Sequence, residues 1–225
     1  MFKPSDFIFR YDVAMSSAYE KLARAGGIEG LRRAGEFFMP DGSVERTLRN
    51  ITTRLDELGI SYAIVGGMAL VSHGYERTTV DVDLLVTEIG LKKIHESLDG
   101  LGYVPPFPGS KYLRDAETGV RIEFLVAGQF PGDGKPKPVA FPDPASSFVE
   151  IDGIKVLAIE KLVELKLASG MTNPGRLKDL ADVQELIRWA KLDEAFAHKL
   201  NEFVRAKFLE LFHAVQADQS DQNGE

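Results

Sequence analysis

The feature that most constrains this chain is two short apolar runs joined by a glycine pair and a short polar spacer. In chain order these segments are the run Ile60–Val65, the pair Gly66-Gly67, the stretch Met68–His73 and the run Val80–Val86. Short apolar runs bounded by turn residues predict buried strands, and the stretch between them predicts a short helix. Because residues i and i+2 of a strand point to one face, about 6–7 Å apart, we expect Asp81 and Asp83 to lie side by side.

This carboxylate pair has a chemical consequence. Two carboxylates at such a distance repel each other, and each tends to take up a proton unless a cation neutralises them. Oxygen ligands suit Mg²⁺, which leaves coordination positions for phosphate and water. The ordinary alternative is an acidic strand start that is solvated or bonded to nearby amides. A metal site at Asp81 and Asp83 is the favoured interpretation.

The order strand, Gly-Gly, short helix, Asp-x-Asp resembles the nucleotidyltransferase superfamily related to DNA polymerase β. The likeness is to the bacterial branch of minimal nucleotidyltransferases and AbiEii-type toxins. It covers about residues 58–126, and a looser match extends to about residue 190. The resemblance implies an α/β (α+β) fold, in which a mixed sheet with flanking helices carries the site and a C-terminal helical lobe closes over the nucleotide. Gly66, Gly67, Asp81 and Asp83 fit the family pattern residue by residue.

The resemblance also implies an activity. A nucleoside monophosphate would pass from an NTP such as ATP or GTP to a hydroxyl of a tRNA or a protein, with two Mg²⁺ ions and with Mn²⁺ able to substitute. It further raises a role as the toxin or the antitoxin of a toxin–antitoxin pair, with a cognate partner. Two alternatives stay open: a non-catalytic, nucleotide-binding antitoxin or regulator, and an enzyme that modifies a small molecule, as aminoglycoside nucleotidyltransferases do. An acidic acceptor pocket would favour a small molecule, and a basic one would favour RNA.

A third carboxylate lies on a later strand. In the run Val120–Val126, alternation places Arg121, Glu123 and Leu125 on one face, so Glu123 must point to solvent or into a site. By resemblance, Glu123 would help to bind the metal that activates the attacking hydroxyl. The competing interpretation is that Glu123 is a strand partner of Arg114 or Arg121.

Three further residues are candidates for nucleotide binding, two at the start of the short helix and one after its end. Gly66 and Gly67 would let the backbone approach a triphosphate, next to free N–H groups. A tight turn with nothing bound explains the glycines equally well. Arg77 precedes Asp81 and could contact phosphate, or pair with Glu76 or Asp83.

Two charged residues near the C-terminus fall on or beside apolar helix faces. Helical spacing puts Lys166 among Ile159, Leu162 and Val163, and puts Asp179 at the edge of a second apolar face. Lysine is almost never buried without a partner. Either Lys166 and Asp179 form an ion pair that joins two helices, or Lys166 binds the nucleotide phosphates and Asp179 orients it. The segment 176–183 also resembles a Lys-Asp-x-x-Asp signature of the bacterial branch.

Composition sets limits on these interpretations. The chain has no cysteine, which excludes disulfides and thiolate metal sites, and its four histidines lack zinc-ligand spacing. A net charge of −7 argues against broad binding to nucleic acid but leaves room for a local basic site. Arg46, Arg49 and Arg54 could form such a face, although a solvated helix face is favoured. Without a long apolar stretch or a secretory start, we expect a cytoplasmic protein with no membrane partner.

The same patterns divide the chain into four parts. We expect an N-terminal helical extension over residues 1–42 and a nucleotidyltransferase core over 43–157. A C-terminal helical lobe follows over 158–215, with helices at about 158–169, 175–190 and 193–214. The polar stretch 216–225 is expected to be a disordered tail.

Overall fold

The computed structural model describes residues 42–75 and 79–222, with side chains described as far as residue 218. Residues 1–41 of the expected N-terminal extension and Arg77 therefore lie outside the described residues. The helices are α1 (Ser43–Glu57), α2 (Gly66–Ser72), α3 (Glu88–Leu98), α4 (Ile159–Thr172), α5 (Leu177–Trp189) and α6 (Glu202–Gln222). The strands are β1 (Tyr62–Ile64), β2 (Asp81–Val86), β3 (Tyr103–Val104), β4 (Tyr112–Asp115), β5 (Arg121–Val126), β6 (Phe148–Ile151) and β7 (Ile154–Leu157).

The seven strands form one mixed sheet in the order β3-β4-β5-β2-β1-β7-β6. Strand β2 pairs in parallel with β5, and β1 in parallel with β7, whereas the other neighbours are antiparallel. The turn residues Asp115–Gly119 between the runs Lys111–Arg114 and Val120–Val126 predict a hairpin, and β4 and β5 form it. The expected α/β class, a mixed sheet with flanking helices, is confirmed.

Strand alternation gives the sheet two differently covered faces. On one face Leu84 and Phe124 pack with apolar residues of α1 and α3 in one buried cluster. On the other face Ala63 and Leu85 pack with α4, α5 and α6 in a second cluster. Asp81 and Asp83 alternate with Val82 and Leu84, so they share the face on which α4 to α6 lie. The candidate site therefore lies at the start of β2, on the face of the sheet that α4 to α6 cover.

The apolar spacing of Leu91–Leu101 predicts a helix over those residues, but α3 starts earlier, at Glu88. The Thr87 side chain accepts a hydrogen bond from the Gly90 N–H at 3.0 Å, which caps the helix and lets it begin at Glu88. Asp99 is already extended, so the helix ends at Leu98. Ile94 and Leu98 are buried as predicted, but Leu101, which the same spacing places inward, lies beyond the end of the helix and is exposed.

The C-terminal region differs from its prediction in two ways. A short 3₁₀-helix, Glu194–Lys199, is separate from α6, because the Asp193 side chain caps it and Leu200 is extended. Helix α6 then continues to Gln222, into the segment 216–225 that the sequence predicts to be a disordered tail. Val215 is buried against the other helices, and this packing carries the helix beyond residue 214. None of the described helices is long and apolar enough to cross a membrane.

Candidate active site

Three carboxylates predicted from sequence meet on one face of the sheet. In the parallel pair β2–β5, Asp83 lies opposite Glu123, and Asp81 lies opposite Arg121. Directly opposed residues of neighbouring strands point to the same side. The strand register therefore brings Asp81, Asp83 and Glu123 together, although Glu123 is 40 residues beyond Asp83 in sequence.

The glycine pair is shaped around Asp83. Gly66 has φ +62°, and a Cβ atom there would lie 1.9 Å from Asp83 Oδ2, so no side chain fits at Gly66. The Gly67 N–H donates a hydrogen bond to the Asp83 carboxylate. The Val65 N–H donates to the Asp83 carbonyl at 3.0 Å. The pair is thus more than a tight turn, since it lets the backbone approach the second carboxylate of the Asp-x-Asp motif.

Asp83 is electrostatically strained. Burial is the largest cause, followed by the negative charges of Glu123 and Asp81, and together they raise the pKa of Asp83 to about 6. The Gly67 hydrogen bond and the Lys166 cation oppose this rise. A carboxylate with a raised pKa beside two others gains when a cation binds.

This raised pKa predicts a pH dependence of stability. The folded-state pKa of Asp83, about 6, exceeds the ordinary value of 3.8, so the unfolded chain releases the proton more readily. The free energy of unfolding gains a contribution that is complete below pH 3.8 and is lost as the pH rises through about 6. In metal-free thermal melts, Asp83→Asn should remove this part of the pH profile. An unchanged profile between pH 4 and 7 would contradict the assignment.

The oxygen donors at the carboxylate site match the preference of Mg²⁺. All three candidate ligands are carboxylates, which suits this hard cation. The Glu123 Oε2 atom, however, accepts a hydrogen bond from Arg121 Nη2 at 3.1 Å. Within residues 42–75 and 79–222, no group of three or more acidic, histidine or cysteine side chains is gathered closely enough to hold an ion. The three side chains are of the chemical type that Mg²⁺ prefers. Asp81 and Asp83 are neighbours on one face of β2, whereas Arg121 holds Glu123.

A cavity of about 230 Å³ opens beside Glu123, whereas Asp81 and Asp83 are not among the residues that line it. Four of the residues predicted for the site line it: Gly66, Glu123, Lys166 and Asp179. Its opposite wall comes from the proline-rich connection after β5, through Pro131, Gly132 and Phe141, and from helix α4. The structure thus places the glycine turn, a carboxylate and the two helix residues around one space.

Lys166 and Asp179 form the predicted ion pair inside a larger network. Lys166 Nζ donates to Asp179 Oδ1 at 3.2 Å and to Asp182 Oδ2 at 2.7 Å, which joins α4 to α5. Asp179 also accepts from Ser169 Oγ at 2.6 Å and from Arg176 Nε at 2.8 Å. Burial alone would raise the pKa of Asp179, but Lys166, the Ser169 hydroxyl and Arg176 hold it below its ordinary value.

The network adds residues that sequence reasoning missed. Ser169 and Arg176 line the cavity. Their spacing in sequence could have indicated them, because Ser169 lies three residues after Lys166 and Arg176 three residues before Asp179, the separation of neighbours on one helix face. The Arg176 side chain is 57% exposed, so it is the accessible cation of the group. Lys166 is 7% exposed, so it is the buried one.

Other charged residues have structural roles. Arg46, Arg49 and Arg54 each pair with a glutamate, Arg49 with Glu45 at 2.8 Å, which agrees with a solvated helix face. His73 lies 2.8 Å from the Leu157 carbonyl through Nε2, and burial lowers its pKa. These contacts give the α1 arginines and His73 structural roles, and neither is a candidate for the active site.

Replacing Lys166 separates its two roles. Lys166→Ala leaves Asp179 and Asp182 buried with one fewer cation, and breaking such a buried pair costs about 3–5 kcal/mol of folding free energy. If Lys166 also binds nucleotide, the affinity of the folded protein for Mg·NTP should fall by about 1.5–3 kcal/mol. Thermal melts and nucleotide titrations on the same sample measure both. A lower melting temperature with unchanged affinity would leave Lys166 a purely structural role.

Comparisons with known proteins give likenesses to nucleotidyltransferases. No protein-family model matches the chain, and no curated protein is significantly similar to it. The antibiotic-resistance factor ANT(2'')-Ia, solved in solution, is 17% identical with a TM-score of 0.48, over 77% of this chain and 95% of that one. An assigned nucleotidyltransferase from Thermotoga maritima is 19% identical with a TM-score of 0.40, over 64% of this chain and 91% of that one.

A third solved structure has a similar description. An antigenic nucleotidyltransferase-like protein from Paracoccidioides brasiliensis is 19% identical with a TM-score of 0.42, over 65% of this chain and 76% of that one. The factor ANT(2'')-Ia has also been solved in complex with adenylyl-2''-tobramycin. Likenesses at this level do not assign a reaction or a substrate to the chain.

Proposed function

We propose that this protein is a Mg²⁺-dependent nucleotidyltransferase that moves a nucleoside monophosphate from an NTP to a hydroxyl group. The observation that carries the proposal is the register of β2 and β5, which sets Glu123 opposite Asp83. A strand-start carboxylate pair with no partner acid would be an ordinary solvated motif. Three carboxylates facing one side, beside a glycine turn that fits against one of them, would form a site once Glu123 leaves Arg121, and a divalent cation there would offset their repulsion.

The cavity supports the nucleotide part of the proposal. Gly66 and Glu123 lie at one side of it, and the cations Lys166 and Arg176 lie at the other. A triphosphate placed between them would meet the donors of Lys166 and Arg176, whose charges Asp179 and Asp182 balance, on the helix side and the Glu123 carboxylate on the sheet side. Arginine suits phosphate because its planar donors can bind two oxygens at once. Asp179, which holds both cations, would orient them.

The reaction balances as a single displacement. The acceptor oxygen forms a bond to the α-phosphorus, and the bond from that phosphorus to the α,β-bridging oxygen breaks. The electron pair leaves with pyrophosphate, and the acceptor proton passes to a neighbouring carboxylate and then to water. Bound Mg²⁺ would supply charge neutralisation at the phosphates and a lower pKa of the attacking hydroxyl. Asp81 and Asp83 would hold it, and Glu123 would join them when Arg121 releases it.

Several finer points are parts of the same proposal. Two metal ions, replaceable by Mn²⁺, and a cytoplasmic location follow from the resemblance and from composition. A toxin–antitoxin role, with a cognate partner, follows from the resemblance alone. The division into a core at 43–157 and a helical lobe at 158–215 agrees with the end of β7 at Leu157 and the start of α4 at Ile159.

A transfer assay tests the proposal. The protein is incubated with each α-labelled NTP, Mg²⁺ and, in separate reactions, RNA, protein or an aminoglycoside. Label should join one acceptor class, and pyrophosphate should appear in equal amount. Binding of Mg·NTP without transfer to any acceptor would favour the non-catalytic regulator instead. Failure to bind Mg·NTP at all would contradict both.

A further inference from the structure

The face of the sheet that is turned away from the three carboxylates also carries buried polar groups, where β3 and β4 pair. In this antiparallel pair Tyr103 lies directly opposite Asp115, so the two side chains point to the same side. Leu113, two residues before Asp115, packs in the cluster with α1 and α3, which identifies that side as the one opposite the candidate active site. Tyr103 is 6% exposed and Asp115 is 4% exposed.

A cavity of about 590 Å³ opens beside this pair, between α1 and the turn that joins β4 to β5. Of the described residues that line it, only Tyr103 and Asp115 are buried. Its exposed rim includes Arg54 and Glu57 of α1, Glu117 of the turn, and Leu101, which follows α3. The cavity therefore has a buried polar end and an open rim that is partly acidic and partly apolar.

Asp115 is a buried carboxylate that only neutral groups contact. It accepts hydrogen bonds from the Thr47 hydroxyl at 2.9 Å and from the N–H groups of Glu117 and Thr118 at 2.9 and 3.3 Å. Among the residues that the structure describes, it forms no ion pair. An aspartate is almost never this deeply buried without a cation as a partner.

The arginines near the cavity are bound to other acids. Arg54 pairs with Glu57 at 3.1 Å, and Arg46 pairs with Glu117 at 3.7 Å. These two pairs balance each other's charges at the rim. The charge of Asp115 is left over, so a cation that entered the cavity would find an uncompensated carboxylate at its buried end.

The Tyr103 hydroxyl is a second buried group without a partner. It makes no hydrogen bond to any side chain or backbone group in the described part of the chain. Burial, followed by the charge of Asp115, raises the pKa of Tyr103 to about 12, and the charge of Arg54 opposes this rise. Both charged groups line the cavity, so the hydroxyl lies within reach of its wall. Buried polar groups are normally hydrogen-bonded, and a ligand in the cavity would supply the missing bond.

We propose that this cavity binds a small alkyl polyamine, which is a chain of methylene groups with an ammonium group at each end. One ammonium group would donate to Asp115 and to the Tyr103 hydroxyl oxygen, as a charge-assisted hydrogen bond requires. The methylene groups would lie along the exposed Leu101 side chain. The second ammonium group would reach the acids of the rim, Glu57 and Glu117.

Other ligand classes fit the cavity less well. An anion would meet the uncompensated Asp115, in a chain whose net charge is already −7. A hard metal ion would need several oxygen ligands, and the described residues gather no group of three metal-binding side chains. The cavity is on the face away from Asp81, Asp83 and Glu123, so a polyamine bound there would not be the acceptor in nucleotidyl transfer. The inference is therefore independent of the proposed function.

Calorimetric titration with spermidine, without nucleotide or metal, tests the inference. The wild type should show one saturable site. Tyr103→Phe keeps the ring and removes only the hydroxyl, so it should weaken binding about tenfold, the scale of one hydrogen bond to a charged group. Tyr62→Phe is the matched control, because Tyr62 is a buried tyrosine whose hydroxyl bonds to Asp56, outside the cavity wall. It should bind spermidine like the wild type.

Replacing the carboxylate gives the larger effect. Asp115→Asn keeps an oxygen that can accept from the N–H groups of the turn but removes the charge, so binding should weaken about a hundredfold. Thermal melts show whether this variant is folded, and if it is not, Tyr103→Phe against Tyr62→Phe decides. Equal spermidine affinity of the wild type, Tyr103→Phe and any folded Asp115→Asn would mean general attraction to an acidic protein and would overturn the inference. Absence of saturable binding by the wild type would overturn it as well.

Discussion

Replacing Asp83 by Asn is expected to reduce nucleotidyl transfer by several orders of magnitude and to weaken Mg·NTP binding while the protein remains folded. Asp83 is a neighbour of both Asp81 and Glu123 on one face of the sheet. It would therefore hold both the metal that arrives with the nucleotide and the metal that activates the acceptor. An asparagine oxygen can still accept the Gly67 N–H hydrogen bond. Loss of one of three repelling charges should not destabilise the metal-free protein. Single-turnover rates, nucleotide titrations and thermal melts would measure the three effects.

A matched variant controls for the change from carboxylate to amide. Asp218→Asn removes a carboxylate that is 61% exposed and pairs only with Arg188 among the described residues. Its turnover and stability should stay close to those of the wild type, because exposed pairs contribute little. Near-wild-type turnover of Asp83→Asn under saturating Mg²⁺ would show that the carboxylate pair is not the metal site.

Replacing Glu123 by Gln is expected to separate nucleotide binding from catalysis. Glu123 would position the metal that activates the acceptor, so its loss should leave Mg·NTP affinity within about tenfold, ~1.4 kcal/mol. The value of kcat should fall by several orders of magnitude, which confines the loss to the transition state. Nucleotide titration and single-turnover kinetics, run beside Asp83→Asn, would measure the contrast.

The competing role of Glu123 predicts a different result. If Glu123 serves only to pair with Arg121, both groups being about one-third to two-fifths exposed, its loss should cost at most about 1 kcal/mol of stability. Activity per folded molecule would then be unchanged. Glu185→Gln, which removes a comparably exposed partner of Arg188, gives the scale of such a purely structural effect. Equal defects of Glu123→Gln and Asp83→Asn in binding and turnover would exclude the proposed division of roles.

Much of the fold could be predicted because its signals are local. The alternation of apolar and polar residues in β2 and β5, and the helical spacing of α1, depend only on neighbours in sequence. The helix boundaries were less predictable, since they depend on caps and packing: Thr87 moved the start of α3, and buried Val215 accompanied the extension of α6.

The sequence by itself determined the chemistry of the candidate site: a carboxylate pair on one strand, a third carboxylate on an alternating strand, and a lysine on an apolar helix face. Only the tertiary structure decided which of these groups meet. Register set Glu123 opposite Asp83 and Tyr112, helix packing gave Lys166 a second partner in Asp182, and close approach required glycine opposite Asp83. The physical reason is that side-chain direction follows from local backbone geometry, whereas strand register and helix packing are fixed by burial across the whole core.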